Sequence, residues 1–241
     1  IENWCSLWMM ELNIRKCSFM QISRKRSNLT YPYSLFSEDL LQVESYRYLG
    51  ITINSKLTWV DHITKITADA SRTLGLIRRS LPSSPANIRK LAYETFVRSR
   101  LEYASAIWSP HQFYLINMLE AVQNRAARFI SSTYDFHSSV SSIKSSLDLT
   151  SLALRRKVAR LCLFHKLFFN FPYLRGSLIS PPFRTSRRLF NSNSVQRLHG
   201  STNAFNKSFF PTAIEEWNLL PDSLTNVHDA TRFKAMLLDH L

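Results

Sequence analysis

The residues of this chain that could do chemistry are nearly all cationic. Lys16 stands in LNIRKCSFM, residues 12–20, where a helix-like pattern gives way to a strand-like one. An ammonium held at such a junction can supply charge and a proton. The same lysine on an open, solvated surface would do neither, and the spacing alone leaves both readings open. Lys65, Arg72, Arg78 and Arg79 lie largely off the apolar stripe of one amphipathic segment, and Arg155, Arg156, Lys157 and Arg160 crowd another. One helix carrying repeated cations offers phosphate contacts along its length.

Several other chemistries are excluded or unsupported. The four glycines, Gly50, Gly75, Gly176 and Gly200, form no cluster that could cradle a phosphate. Cys5, Cys17 and Cys162 are odd in number with no Cys-x-x-Cys spacing, so neither a disulfide framework nor a zinc site is readable. A reducing, intracellular compartment is the corresponding expectation. His62, in WVDHI, has no Cys or second His at ligand spacing. Apolar runs stay short of the ~18 residues a membrane span needs. The first residues, IENWCSLWMM, lack a basic flank and an initiator Met, and read as a start inside a longer frame.

The elements that must position the cations follow from periodicity. Trp4, Leu7, Trp8 and Leu12 make a helical stripe; CSFMQIS, LTYPYSLF and SYRYLGITIN read as short strands around a basic turn, SRKRSN. Leu49, Ile51 and Ile53 fall on one strand face, giving a helix followed by a small antiparallel sheet. From Trp59 the text is helical, with Ile63, Ile66, Ala70, Leu74 and Ile77 as the apolar stripe. A second helix over 85–104 is expected to start with Ser84 as cap and Pro85 at its first position, burying Ile88, Leu91, Ala92 and Phe96. A third, over 112–130, buries Leu115, Leu119, Val122, Ala126 and Phe129. Three such helices pack most simply as a bundle.

Residues 131–151 hold nine serines and read as a linker or surface loop. A basic helix over 149–169 follows, then a poorly periodic region, 171–210, with Pro172, Pro181, Pro182, Arg184, Arg187 and Arg188. Thr212 and Glu215 suggest a capping box, and Asp229 a cap for the last helix. Trp108 and Trp217 read as packing anchors at helix ends, with base stacking as the alternative. The expected class is α+β, mostly helical.

Charge is unevenly spread within a formal net of +14. Residues 121–214 hold 14 basic and two acidic side chains, net +12, whereas residues 215–241 hold two basic and five acidic ones, net −3. So basic a segment calls for a polyanion or an anionic membrane surface. No strongly amphipathic lipid-anchor helix stands out, which favours nucleic acid.

Taken in order, LNIRKC, YRYLGITIN, LTWVDHITKI, FVRSRLEYASAIWSP, LEAVQNRAARFI and the tail FFPTAIEEWNLLP…FKAMLLDHL resemble the C-terminal part of reverse transcriptases from non-LTR (LINE-type) retrotransposons. The resemblance runs over essentially the whole chain. It implies residues 1–57 as the end of a palm with primer-grip strands, 58–130 as a helical thumb, 131–151 as a Ser-rich linker and 152–241 as a basic C-terminal region. Asn13 and Lys16 correspond to the Asn-x-x-Lys piece that closes the palm, making Lys16 a candidate general acid for pyrophosphate release. Tyr48, Leu49 and Gly50 correspond to the primer grip, where Tyr48 would press on the primer backbone. Lys65, Arg72, Arg78, Arg79, Arg155, Arg156, Lys157 and Arg160 would then contact nucleic acid.

The implied partners are RNA and DNA as primer–template, with no membrane and a nuclear location. Polymerases of this class hold two Mg²⁺ ions on paired aspartates. No Asp-Asp dipeptide occurs in this chain. The expectation is a C-terminal piece that has no cofactor of its own, needs the rest of the polymerase for activity and is inactive alone. The alternative is an autonomous, non-catalytic nucleic-acid-binding protein derived from such an element. Without a palm sheet to cover them, Trp4, Trp8 and Phe19 are expected to expose apolar surface.

Overall fold

The computed structural model describes residues 1–23, 31–135, 137–183 and 191–241. Most of the basic turn SRKRSN, and Arg184, Arg187 and Arg188, lie outside the described residues. The fold is mostly helical α+β. The chain divides into two compact units, Ile1–His62 and Ile63–Leu241.

In the first unit, helix α1 (Glu2–Leu7) buries only Cys5, and a 3-10 turn (Ile14–Lys16) leads into strand β1 (Ser18–Phe19). Trp4 and Trp8 are exposed, whereas Phe19 is half-buried with its ring 4.7 Å from that of Tyr33. Among the described residues the strands make three two-stranded ladders and not one sheet, of which β1 with β4 (Leu41–Gln42) is parallel. The other two are antiparallel hairpins: β2 (Ser34–Leu35) with β3 (Glu38–Asp39), and β5 (Ser45–Tyr48) with β6 (Ile51–Asn54).

Both hairpins turn through two residues at positive φ, Phe36 (50°) with Ser37 (63°), and Leu49 (46°) with Gly50 (85°). Positive φ at both positions is the type I′ arrangement, whose twist matches the flanking strands. YLG is therefore a turn and not part of a continuous strand. The alternation of Leu49, Ile51 and Ile53 hid it, because Leu is a poor residue for left-handed backbone.

In the second unit the long helices do the packing. The helix running from Val60 to Ser80 (α2) buries Ile63, Ala70, Leu74 and Ile77. The next begins as α3 (Ala86–Ala92), widens into a π-helical stretch (Tyr93–Arg98) and ends as α4 (Ser99–Glu102). It starts one residue later than expected, with Pro85 at the cap position. Its buried face is also different. Arg89, Tyr93, Val97 and Leu101 point inward at four-residue steps, while Ile88, Leu91 and Phe96 are exposed. Of the polar members of that inner face, Tyr93 is satisfied and Arg89 is bonded at all but its Nε–H, which the apolar pattern could not show. Tyr93 Oη donates to Gln123 Oε1 at 2.8 Å, and Gln123 donates on to the Thr150 carbonyl at 2.9 Å.

After a short helix α5 (Ser105–Trp108), α6 (Phe113–Ser131) buries Leu115, Leu119, Val122, Ala126 and Phe129, as its spacing predicts. Residues 131–151, expected to be a linker or surface loop, contain α7 (Val140–Ser146), anchored by buried Ile143 and packed against α6. A single apolar side chain among serines suffices where a neighbouring helix offers a partner surface.

Helix α8 (Leu152–Asn170) is capped by Ser151 Oγ, which accepts from Leu154 N. It shares a core with α11 (Phe209–Asn218), α12 (Asp222–Thr225) and α13 (Ala230–His240); α9 (Pro172–Leu178) packs on α8 with no buried residue of its own, and the short α10 (Asn203–Asn206) follows it in the chain. Trp217 is its centre, with ring centroids of Phe164 at 5.3 Å, Phe168 at 5.4 Å and Phe233 at 5.9 Å. Trp217 donates its indole N–H to Asn193 O, and Trp108, equally buried, donates to Tyr103 O. Both tryptophans are packing anchors. Thr212 starts no helix, because α11 has already begun at Phe209; Asp229 does cap α13, accepting from Arg232 N.

Candidate nucleic-acid interface

Lys65, Arg72 and Arg79 recur at seven-residue intervals, which brings them to one face of α2. All three are exposed. Fourteen residues at ~1.5 Å rise put the outer two about 21 Å apart along the axis. That matches roughly six nucleotide steps of one strand at 3.4 Å each. Asp69 forms an ion pair with Arg72 one turn away, on a surface where such pairs are weak.

The stripe runs into a cleft. Arg79, Arg78, Arg89, Pro82, Phe129 and Tyr134 line an open space of about 390 Å³ where the ends of α2 and α6 approach each other. Arg78 holds its guanidinium 5.9 Å from the Tyr134 ring centroid. Arg89, 8% exposed, donates to Phe129 O at 2.9 Å and Pro82 O at 2.6 Å, and to Ser132 Oγ. These acceptors are neutral, so its positive charge is bonded but not cancelled. No carboxylate lines the cleft. The neighbouring Asp135 accepts from the backbone of His137 and from Ser138.

The loop that presents Tyr134 is fixed from below. Ser132 takes a left-handed conformation (φ 55°) at the end of α6, and Arg128 donates to Asp135 O at 2.9 Å and Ser138 O at 3.3 Å. Tyr134 and Arg89 were not among the residues the sequence singled out. The spacing of Arg89 with Tyr93, Val97 and Leu101 was the available signal, since an arginine in register with buried apolar residues has a specific partner.

The basic residues of α8 are turned to other use. Arg155 makes a two-point contact with Glu102, its second bond being 3.0 Å, and this partner raises its pKa. Arg160 makes the same kind of pair with Glu216, with Nε–Oε2 at 2.8 Å. Arg156 is fully buried, and desolvation lowers its pKa. Lys157 is half-exposed with no carboxylate bonded to it among the described residues, and Lys166 further along α8 is exposed. Arg155, Arg156 and Arg160, expected to contact nucleic acid, here tie α8 to α4 and α11 or sit inside the bundle. Guanidinium groups are preferred at such interior pairs because the fork fits a carboxylate at two points.

Lys16 and residues 48–50 belong to the first unit. Lys16 is exposed at the end of its 3-10 turn, its backbone N–H bonded to Asn13 O at 3.0 Å. Tyr48 closes β5 and is 60% exposed, with Leu49 and Gly50 forming the turn beside it. His62 is buried, its Nδ1 accepting from Thr52 N at 3.3 Å, a structural role. Among the described residues no three His, Cys, Asp or Glu side chains come together as metal ligands. No described helix is long and apolar enough to cross a membrane.

No family model and no solved structure matches the chain. Two curated proteins of Drosophila melanogaster do match part of it. One, described as "Probable RNA-directed DNA polymerase from transposon BS", is 27% identical over 131 residues, 53% of this chain and 14% of that protein. The other, "RNA-directed DNA polymerase from mobile element jockey", is 27% identical over 135 residues, 54% of this chain and 14% of that protein. The chain is distantly similar to transposon polymerases. The matched stretch is about half of the chain and a small part of either relative, so their activity does not transfer with it.

Proposed function

We propose that this chain serves as the nucleic-acid-holding, non-catalytic part of a non-LTR retrotransposon reverse transcriptase, with α2 and the helices packed on it as a thumb. The observation that carries this reading is the Lys65–Arg72–Arg79 stripe ending in a cleft with three arginines and no carboxylate. The order of motifs and the distant similarity to two transposon polymerases support it. In this reading Tyr48 and the Leu49–Gly50 turn act on the primer, and Lys16 serves an active site whose carboxylates other residues supply. In this reading Mg²⁺ belongs with the carboxylates that other residues supply, and no metal-dependent step is assigned to this chain, which has no Asp-Asp dipeptide.

Two assays on the 241-residue chain test the proposal. Fluorescence anisotropy with an RNA–DNA primer–template should show binding that anionic liposomes fail to compete away, and a primer-extension assay should show no template-dependent incorporation. Preferential binding to the liposomes would refute the partner, and incorporation above background would refute the non-catalytic role.

A further inference from the structure

The cleft at the end of the stripe has features that duplex phosphates do not require. A duplex tracking α2 needs exposed cations, which Lys65, Arg72 and Arg79 supply. It needs neither an aromatic wall nor a recess, because its bases are stacked inside. Here Tyr134 is exposed and held by a loop that Arg128 pins at two carbonyls. The buried Arg89 lies behind it with its Nε–H buried and unbonded. The volume of about 390 Å³ falls in the range of small-ligand sites, roughly 300–1,000 Å³.

We infer that this cleft holds one unpaired nucleotide of a nucleic-acid strand. Its base stacks on Tyr134, and its phosphate lies between Arg78 and Arg79 in the field of Arg89. The inference rests on the nucleic-acid-binding reading above and specifies the single-stranded end of that ligand. Aromatic rings recognise the face of any base, so the site should be sequence-tolerant. The uncancelled charge of Arg89 strengthens attraction for the phosphate without competing for it, because its own N–H groups are largely spent on the Phe129 and Pro82 carbonyls and the Ser132 hydroxyl.

The test compares two duplexes by anisotropy, one blunt and about 12 base pairs long and the other identical with a short single-stranded overhang. The overhang should tighten binding to the 241-residue chain by roughly five- to a hundredfold, as expected for one stacked base. Tyr134→Ala should remove that gain and leave blunt-duplex affinity within about twofold, while Tyr134→Phe, which keeps the ring, should retain it. Arg78→Ala should reduce the gain in part. Tyr134 is 60% exposed, so its substitution does not threaten folding.

Equal affinity for the two duplexes, or a gain that survives Tyr134→Ala, overturns this inference and leaves the nucleic-acid-binding reading standing. Failure of both duplexes to bind overturns both.

Discussion

The Arg89 guanidinium lies 5.1 Å from the centroid of the Phe129 ring while donating to the carbonyl oxygen of the same residue at 2.9 Å. One side chain thereby joins α3 to the carbonyl end of α6 and to the Pro82 carbonyl, and places a positive charge behind the cleft. Arg89→Met keeps the bulk but abandons three acceptors, and should lower unfolding free energy by about 2–4 kcal/mol in urea titrations. Arg89→Lys should recover only part of that loss, since an ammonium lacks the guanidinium fork. A neutral effect of Arg89→Met would show that the three bonds do not form in solution.

Arg160 and Glu216 provide the contrast. With side-chain exposures of 9% and 18%, this pair is nearly interior, and Arg160→Ala leaves a carboxylate in poor solvent. A loss of about 3 kcal/mol or more is expected by chemical denaturation. Affinity for nucleic acid, measured where the variant is still folded, should stay within about twofold, because this guanidinium is committed to Glu216. A large affinity loss with intact stability would return Arg160 to the interface.

Leu49 occupies a left-handed backbone position that favours Asn or Gly, and its side chain is 72% exposed. Leu49→Asn creates the Asn-Gly pair preferred in type I′ turns and should stabilise the hairpin by about 1 kcal/mol. Slower amide exchange at Tyr48 and Ile51, the facing pair that the turn joins, is the readout. Faster exchange would mean that Leu49 makes a contact worth more than its strain.

His165 sets a pH dependence. Burial lowers its pKa first, with His228 adding to the effect, while the Val227 carbonyl at 2.7 Å and Asp229 oppose it. The unfolded state therefore binds the proton more readily, and stability rises with pH through this interval. The contribution is complete above about pH 6.5 and declines as pH falls from there toward the folded-state value. Thermal melts from pH 7.5 down to 5 should show a falling midpoint, and His165→Phe should flatten the curve over that range. An unchanged slope in the variant would place the titrating group elsewhere.

How much of this was legible in the sequence varies by element, for physical reasons. α6 was readable because its buried residues are all apolar at helical spacing. α3 was misread because its inner face carries Arg89 and Tyr93, whose partners, Phe129 and Gln123, lie far along the chain. The same reason explains α8: whether Arg155 meets solvent or Glu102 depends on the tertiary position of a carboxylate 53 residues away. The stripe Lys65, Arg72 and Arg79 was visible because its geometry is local to one helix. The cleft was not, since it needs two helix ends and a serine-rich loop brought together. The hairpin at Leu49 was hidden by a residue type that turns rarely use.

The most direct measurement of the central claim is the salt dependence of binding to a primer–template duplex. For the unaltered chain, log K should fall linearly with log[salt], by about 0.9 per phosphate neutralised on duplex. Replacing Lys65, Arg72 and Arg79 together with Ala should reduce that slope by about three, while Lys157→Ala should change it by at most one. A slope that the triple replacement leaves unaltered would contradict the assignment of α2 as the nucleic-acid-binding face.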